Sequence, residues 1–522
     1  MEGFVSRHAD AVIGTLCGFD RLVLRGSLRR LAQRGGMMAY LWAKQVLLKD
    51  FGDHAAGLSG QLKAASEELA ERSGRPLRYL ASSALSKEAV AREIAARDRV
   101  EQGLICVLSA VEPCWSFEIV RNSVTRRLEL QPRQRKCLHL YHYAFDPVLG
   151  FMSARIQTWF PFQIQICLNG REWLAREMER AKLAYVQRDN CFTWLADGAQ
   201  AQRLMDAQLT TAWPALLDGF ARQLNPHHAA MFAAFPVDYY WTTYQSEWAS
   251  DLMFRDAASL ARLYPKLVHH GMTTFFSADV MRFLGRNIPA SGRLPGNLKA
   301  DVVSDMTARP EGVRIKHRLG ANTIKMYDKQ GSVLRVETTI NDAAGFKCFR
   351  APEGKPDAPK TWQPMRKGIA DLPRRAHVSH AANRRYLQAL ASVEDRRSLG
   401  EFAARLCQPA VHNGRRVRAL NPYAPADAAL ITAISHGEFA LNGFRNRDLR
   451  QLLFADADAS SEVQRCNAAA VTRKLALLRA HRLVRRLPST HRYLLTVAGR
   501  AAVTALLAAR NSNADHLAKL AA

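Results

Sequence analysis

Two tyrosines four residues apart, Tyr240 and Tyr244, lie in the run Asp238-Tyr-Tyr-Trp-Thr-Thr-Tyr-Gln-Ser-Glu-Trp-Ala-Ser-Asp251. A tyrosine hydroxyl can attack a phosphodiester and hold it as a covalent ester when a base or a cation activates it. On a helix the two hydroxyls share a face, with Glu247 or Asp251 one or two turns further along. Carboxylates offer a second chemistry. Glu247, Asp251, Asp301, Asp305 and Glu337 are candidate oxygen ligands for a Mg2+ site that would hydrolyse phosphodiesters. Asp301 and Asp305 share a helical face, which a solvated helix start explains equally well. Spacing alone does not bring the other carboxylates together. No Walker loop, Gly-x-Ser-x-Gly or His-Glu-x-x-His occurs.

The segment Asn322-Thr-Ile-Lys-Met-Tyr-Asp-Lys-Gln-Gly-Ser-Val-Leu-Arg-Val-Glu-Thr-Thr-Ile340 predicts a hairpin. A three-residue loop Lys329-Gln330-Gly331, with Gly in the left-handed position, pairs Met326 with Leu334 and Ile324 with Val336. One face is then apolar, and the other carries Thr323, Lys325, Tyr327, Arg335, Glu337 and Thr339. A two-residue loop would mix the faces. In this register Lys325 opposes Arg335, which is unfavourable unless an anion lies between them. Lys325, Tyr327 and Arg335 are therefore expected to contact phosphate.

The phrase Lys-Met-Tyr-Asp-Lys…Leu-Arg-Val-Glu resembles the Tyr-Asp-Lys…Arg-x-Glu strand pair of phage and plasmid rolling-circle replication initiators, over about 15 residues. Paired tyrosines such as Tyr240 and Tyr244 are similar to those of some phage initiators. The resemblance implies a bacterial mobile-element protein that nicks DNA, with Tyr240 and Tyr244 as the attacking residues; Glu337, from the carboxylate reading, is the third candidate catalytic residue. It also implies a His-x-His metal motif, and none occurs. His139 and His142 come closest, but on a strand they point to opposite faces, so no metal-ligating residues are assigned. Mg2+ or Mn2+ is expected as a cofactor only in the nuclease reading.

Residues 425–511 run helix, helix, longer basic helix, hairpin, helix. Val471, Leu475 and Leu478 point inward on the long helix. Residues 461–500 hold nine Lys/Arg and one acid, Glu462. The segment Lys-Leu-x-x-Leu-Arg-x-His-x-Leu-Val followed by His-Arg-Tyr-x-Leu-Thr-x-x-Gly resembles MarR- and ArsR-like winged-helix domains. That resemblance implies Arg473, Lys474 and Arg479 near a DNA groove and Arg485, Arg486, His491 and Arg492 on a wing. Docking of a protein is the alternative use of such a domain.

These elements belong to a chain of 522 residues with 74 Lys+Arg against 47 Asp+Glu, a formal charge of +27. A polyanion is the expected partner of such charge: DNA first, structured RNA as the alternative. No basic amphipathic helix suggests a membrane. The nine cysteines form no Cys-x-x-Cys pair, excluding zinc-ribbon and thioredoxin-like motifs. The N-terminus lacks the apolar run of a signal peptide, so the cytoplasm is the expected compartment. The expected fold class is α+β and multidomain. Residues 1–100 read as mainly helical, 101–350 as an α+β body on a largely antiparallel sheet, 351–424 as a Pro/Arg-rich linker with a helix near Ser379–Ala391, and 425–511 as the winged helix. Within the body, 200–290 reads as helical and 297–350 as one strand pair. Trp115, Trp159, Trp173 and Trp194 are expected in the core.

Overall fold

The computed structural model describes residues 1–286, 302–309, 312–352, 357–391, 399–412, 414–436, 439, 443–454, 460–487 and 490–511. Asp301 lies outside them.

The strands are β1 (Val12–Ser27), β2 (Leu77–Tyr79), β3 (Gly103–Arg121), β4 (Leu128–Asp146), β5 (Gly150–Gln157), β6 (Ile164–Asn169), β7 (Tyr185–Arg188), β8 (Cys191–Leu195), β9 (Tyr240–Phe254), β10 (Val302–Arg309), β11 (Gly312–Leu319), β12 (Asn322–Lys329) and β13 (Val333–Ile340), with three short hairpins further on. Eleven of them form one sheet, ordered β10-β11-β12-β13-β9-β1-β6-β5-β4-β3-β2. Every pairing is antiparallel except β2 with β3. The protein is thus mixed α and β around a large, mainly antiparallel sheet.

The apolar alternation of the 322–340 hairpin decides which side of the sheet is packed. Ile324, Met326, Leu334 and Val336 join Leu252 and Ile315 in a core roofed by helices Ala257–Thr273 and Leu372–Leu390. All eight residues of β13 are buried, so its opposite, polar face is covered as well. Helix Gly170–Arg180 and the β7–β8 hairpin lie on that side, through Leu174, Met178 and Phe192 against Met253 and Val333.

The hairpin register differs from the expected one. Lys329 pairs with Val333, so the loop is Gln330-Gly331-Ser332. Both Gln330 (φ 57°) and Gly331 (φ 76°) are left-handed, where the sequence reading allowed only the glycine to be. A glutamine at positive φ is uncommon, which is why composition did not signal it. The slip moves every pair by two residues. Faces are preserved but partners change: Lys325 opposes Glu337, and Tyr327 opposes Arg335. The like-charge pairing of Lys325 with Arg335 does not exist.

Other expectations also change. Tyr240 to Asp251 is strand, not helix. A spacing of four keeps residues on one face in either period, and the aromatic and threonine content favours the strand. Residues 302–319 form β10 and β11, so Asp305 is on a strand rather than at a helix start. Within 1–100 the helices Phe51–Arg72 and Lys87–Arg97 form, yet β1 crosses the middle of the sheet and ties this region to residues up to 340. Helix Leu372–Leu390 begins earlier than expected and is a core element of the same sheet, not part of a linker. Trp173 is buried, whereas Trp115 and Trp194 are 57% and 44% exposed.

After residue 424 come helices Pro425–Ile434, Asn446–Leu453 and Ser461–Ala480, strands Val484–Arg486 and Tyr493–Leu495, and helix Val497–Asn511. Leu430, Ile434, Leu449, Val471, Leu475, Leu478, Val484 and Leu506 share one core.

Candidate metal centre on the polar face of the sheet

Two strand irregularities build the site. Along β1, Phe19 pairs with Trp248 and Arg21 with Glu247, leaving Asp20 as the extra residue of a bulge. Along β9, Val23 pairs with Gln245 and Leu24 with Thr243, leaving Tyr244 unpaired. A bulge re-aims side chains that strict alternation would separate. Tyr240, Thr242, Tyr244, Gln245 and Glu247 are accordingly the more open positions of β9, and Trp241, Thr243, Ser246 and Trp248 the buried ones.

Asp20, Glu247 and Glu337 thereby converge, each with a carboxylate oxygen within 4.8 Å of the other two. Lys325 Nζ donates to Glu337 Oε1 at 2.6 Å and lies 3.5 Å from Glu247 Oε1. Tyr327 donates its hydroxyl proton to Glu337 Oε2 at 2.7 Å. Asn190, on the β7–β8 turn, donates through its amide to Asp20 Oδ1 at 2.5 Å, while its own Oδ1 is buried with no partner.

Beside this triad lies a closed ion network. Arg335 donates to both oxygens of Asp251 at 2.6 and 2.9 Å, to Asp20 Oδ2 at 3.2 Å and to the Asn190 carbonyl at 2.7 Å. Arg171 donates to Asp251 Oδ2 at 3.0 Å. Arg171 reaches it because Asn169 caps its helix and Gly170 packs against the Phe19 carbonyl, which a Cβ would meet at 2.1 Å. Asp251, Arg171 and Arg335 are essentially inaccessible. Burial alone would raise the Asp251 carboxyl, but the two guanidiniums outweigh it and hold it below the usual carboxylate range.

The triad is compensated unevenly. Burial pushes the Glu247 carboxyl up to about 7, with the Glu337 charge adding to it. Burial also raises Asp20. Burial opposes ionisation of Glu337 too, but Lys325 outweighs it and keeps that carboxyl low. Crowded carboxylates with two pKa values raised favour an added cation.

The donor set suits a hard divalent ion. An octahedral Mg2+ at about 2.1 Å from each ligand sets neighbouring ligand oxygens about 3.0 Å apart and opposite ones about 4.2 Å, so the three oxygens, within 4.8 Å of one another, would draw together around the ion. Asp20 and Glu247 line a cleft of about 180 Å³ shared with Arg21, Arg92, Asn169 and Asn190. That is room for roughly six waters at ~30 Å³ each, or a hydrated cation with a phosphate-sized group. Among the described residues Arg21 makes no ion pair with a carboxylate; its Nε donates to Cys167 Sγ at 3.3 Å.

The structure sorts the expected site residues. Glu337, Lys325 and Tyr327 meet at the triad. Arg335 is sealed inside and cannot contact a phosphate. Tyr240 and Tyr244 share a face of β9 with Glu247, but no histidine or carboxylate among the described residues hydrogen-bonds to either hydroxyl. Arg29 lies over the Tyr240 ring at 3.3 Å and Arg25 over the Tyr244 ring at 3.9 Å. His139 and His142 are buried on β4, and burial lowers each to about 4. His142 meets Ser66 at 3.1 Å, not His139. Of the C-terminal residues, Arg473, Arg485, Arg486 and His491 are exposed, and Lys474, Arg479 and Arg492 are half-buried. Asp20, Arg21, Asn190 and Arg171 were missed. An adjacent acid and base, Asp20 and Arg21, inside a strand stretch whose other residues from Phe19 to Leu24 are apolar are the one signal that could have drawn attention to Asp20.

Comparison with known proteins returns no match to any family model, curated protein or solved structure.

Proposed function

We propose that the protein is a metal-dependent phosphodiesterase acting on nucleic acid, with Asp20, Glu247 and Glu337 as the ligands of a Mg2+ or Mn2+ ion. The observation that carries this reading is the convergence of three carboxylates from three adjacent strands, two of which, Asp20 and Glu247, line a cleft that Arg21 also lines. A bound divalent ion would polarise a phosphoryl oxygen and make a bound water acidic enough to supply hydroxide. Arg21 holds the entering phosphate, and Lys325 places a fixed positive charge beside Glu337 and Glu247. Asn190 and Arg335 position Asp20 from opposite sides. This reading replaces the tyrosine nucleophile with water and keeps Glu337 in the chemistry.

The formal charge of +27 supports a polyanionic substrate. The helix order and shared core of the C-terminal segment support a winged helix, with Arg473 on its long helix and Arg485, Arg486 and His491 at its hairpin as the accessible phosphate contacts. The accompanying proposal is a DNA-binding module attached to the catalytic body. The test is incubation of the purified chain with end-labelled single- and double-stranded DNA and with RNA, in Mn2+ and in EDTA. Cleavage in Mn2+ that Asp20→Asn abolishes is the expected result. Equal cleavage by wild type and Asp20→Asn removes the assignment.

A further inference from the structure

The strands that carry the triad do not end at it. Continuing from Glu247 toward the start of β9, Tyr244 and Tyr240 present their rings on the same face, 44% and 37% exposed. The neighbouring chain answers each ring with a guanidinium. Arg25 lies 3.9 Å over Tyr244, and Arg29 lies 3.3 Å over Tyr240. Arg21, across from Glu247, is on the same side of β1 as Arg25, four residues away. None of Arg21, Arg25 and Arg29 has a carboxylate ion-pair partner among the described residues, and Arg25 Nε is buried without any partner. Seven residues of strand separate Tyr240 from Glu247, about 23 Å at a rise of ~3.3 Å per residue.

Three guanidiniums without a carboxylate ion pair among the described residues, two of them set over aromatic rings, make a specific kind of surface. A guanidinium stacked on a ring keeps its edge N–H donors free for phosphate oxygens, and the ring fixes its orientation. The outer plane of the guanidinium and the uncovered part of the ring are stacking surfaces for a base. A base inside a duplex is already stacked on both sides and offers no such plane. We propose that this face is a track for single-stranded nucleic acid, leading the strand across Arg29–Tyr240 and Arg25–Tyr244 to place a phosphate at Arg21 and the triad. Its length fits a footprint of about four nucleotides, the short end for sites built on stacking and charge. The inference extends the phosphodiesterase reading by naming the form of its substrate, and rests on that reading for what happens at the end of the track.

Binding is measured without metal, so the test does not depend on the carboxylates. Fluorescence anisotropy of 5′-fluorescein oligo-dT and oligo-U of twelve nucleotides, and of a twelve-base-pair duplex, is recorded in EDTA with the full chain. Arg29→Ala combined with Arg25→Ala is expected to raise Kd for the single strands at least tenfold and for the duplex less than threefold. Tyr244→Leu is expected to lose affinity, since it removes the ring beneath Arg25. A rise confined to one sugar type supports the track and assigns its substrate. Unchanged single-strand affinity in the arginine variant, with an unaltered melting temperature, overturns the proposal, as does an equal rise for the duplex. Intact binding with no cleavage in Mn2+ would instead count against the metal site alone.

Discussion

Lys325 and Glu337 face each other across the β12–β13 ladder and are joined at 2.6 Å, with the same ammonium 3.5 Å from Glu247. The cross-strand lysine therefore serves two acids from two strands. In the proposed metal-bound state its charge would lie beside the ligands rather than replace them. Glu337→Gln removes one anionic ligand and is expected to lower cleavage by about 100-fold or more, at the scale of losing one fixed transition-state contact. Lys325→Met is expected to lower kcat more than it raises KM, because a fixed positive charge there would count most where negative charge grows on a phosphoryl group in the transition state. Steady-state kinetics in Mn2+ check both. A Glu337→Gln enzyme with wild-type kcat contradicts the assignment.

Arg335 has a different role. It is fully buried and bonded to Asp251, Asp20 and the Asn190 carbonyl. Removing it leaves two buried carboxylates facing a lost cation, so Arg335→Ala is expected to cost about 3–5 kcal/mol of stability. Urea unfolding with the midpoint as readout measures this. A midpoint close to wild type would mean the network is not closed as described.

The pH dependence follows from Glu247, raised from 4.5 to about 7 by burial and the nearby Glu337 charge. Between those two values the folded, metal-free protein keeps a proton that the unfolded chain has released. The sign is thus a loss of metal-free stability as pH rises through that window. A divalent ion needs the ionised carboxylate, so its affinity is expected to rise about tenfold per pH unit toward 7 and to level off above it. Mn2+ titration by calorimetry between pH 5.5 and 8 reads this out. A constant Kd across the range contradicts a role for Glu247 as ligand.

Tyr240 and Tyr244 distinguish hydrolysis from covalent nicking. The double variant Tyr240→Phe/Tyr244→Phe keeps both rings under their arginines. Cleavage is expected to stay within about tenfold of wild type, a change of no more than about 1.4 kcal/mol in barrier. No protein–DNA adduct should survive denaturing electrophoresis. An adduct formed by wild type and lost in the variant would restore the tyrosine mechanism.

Much of this arrangement was legible in the residues and some was not, for definite reasons. The apolar and polar faces of the 322–340 hairpin follow from a period of two, and a slip of two residues leaves them intact. Partner identity does not survive such a slip, so Lys325 was matched with Arg335 and not with Glu337. Glu247 and Glu337 are recognisable as possible ligands, but their meeting depends on β13 lying beside β9, a contact between residues 90 positions apart that no local pattern encodes. Asp20 was invisible because its orientation comes from a bulge at one position of β1. A spacing of four satisfies both periods, so Tyr240 and Tyr244 alone do not distinguish strand from helix. The Ser86 cap of helix Lys87–Arg97, which accepts from Ala89 N, and the turn at Asn122 between β3 and β4 are local features, set by residues a few positions apart.

Asp20, Glu247 and Glu337 are proposed to hold a catalytic divalent ion. The most direct measurement is Mn2+ binding by calorimetry, run beside cleavage of labelled single-stranded DNA, for wild type and Asp20→Asn. The account predicts one bound ion and metal-dependent cleavage in wild type, and loss of both in a variant with an unchanged circular dichroism spectrum. Wild-type protein that binds no Mn2+, or that cleaves equally well in EDTA, would contradict it.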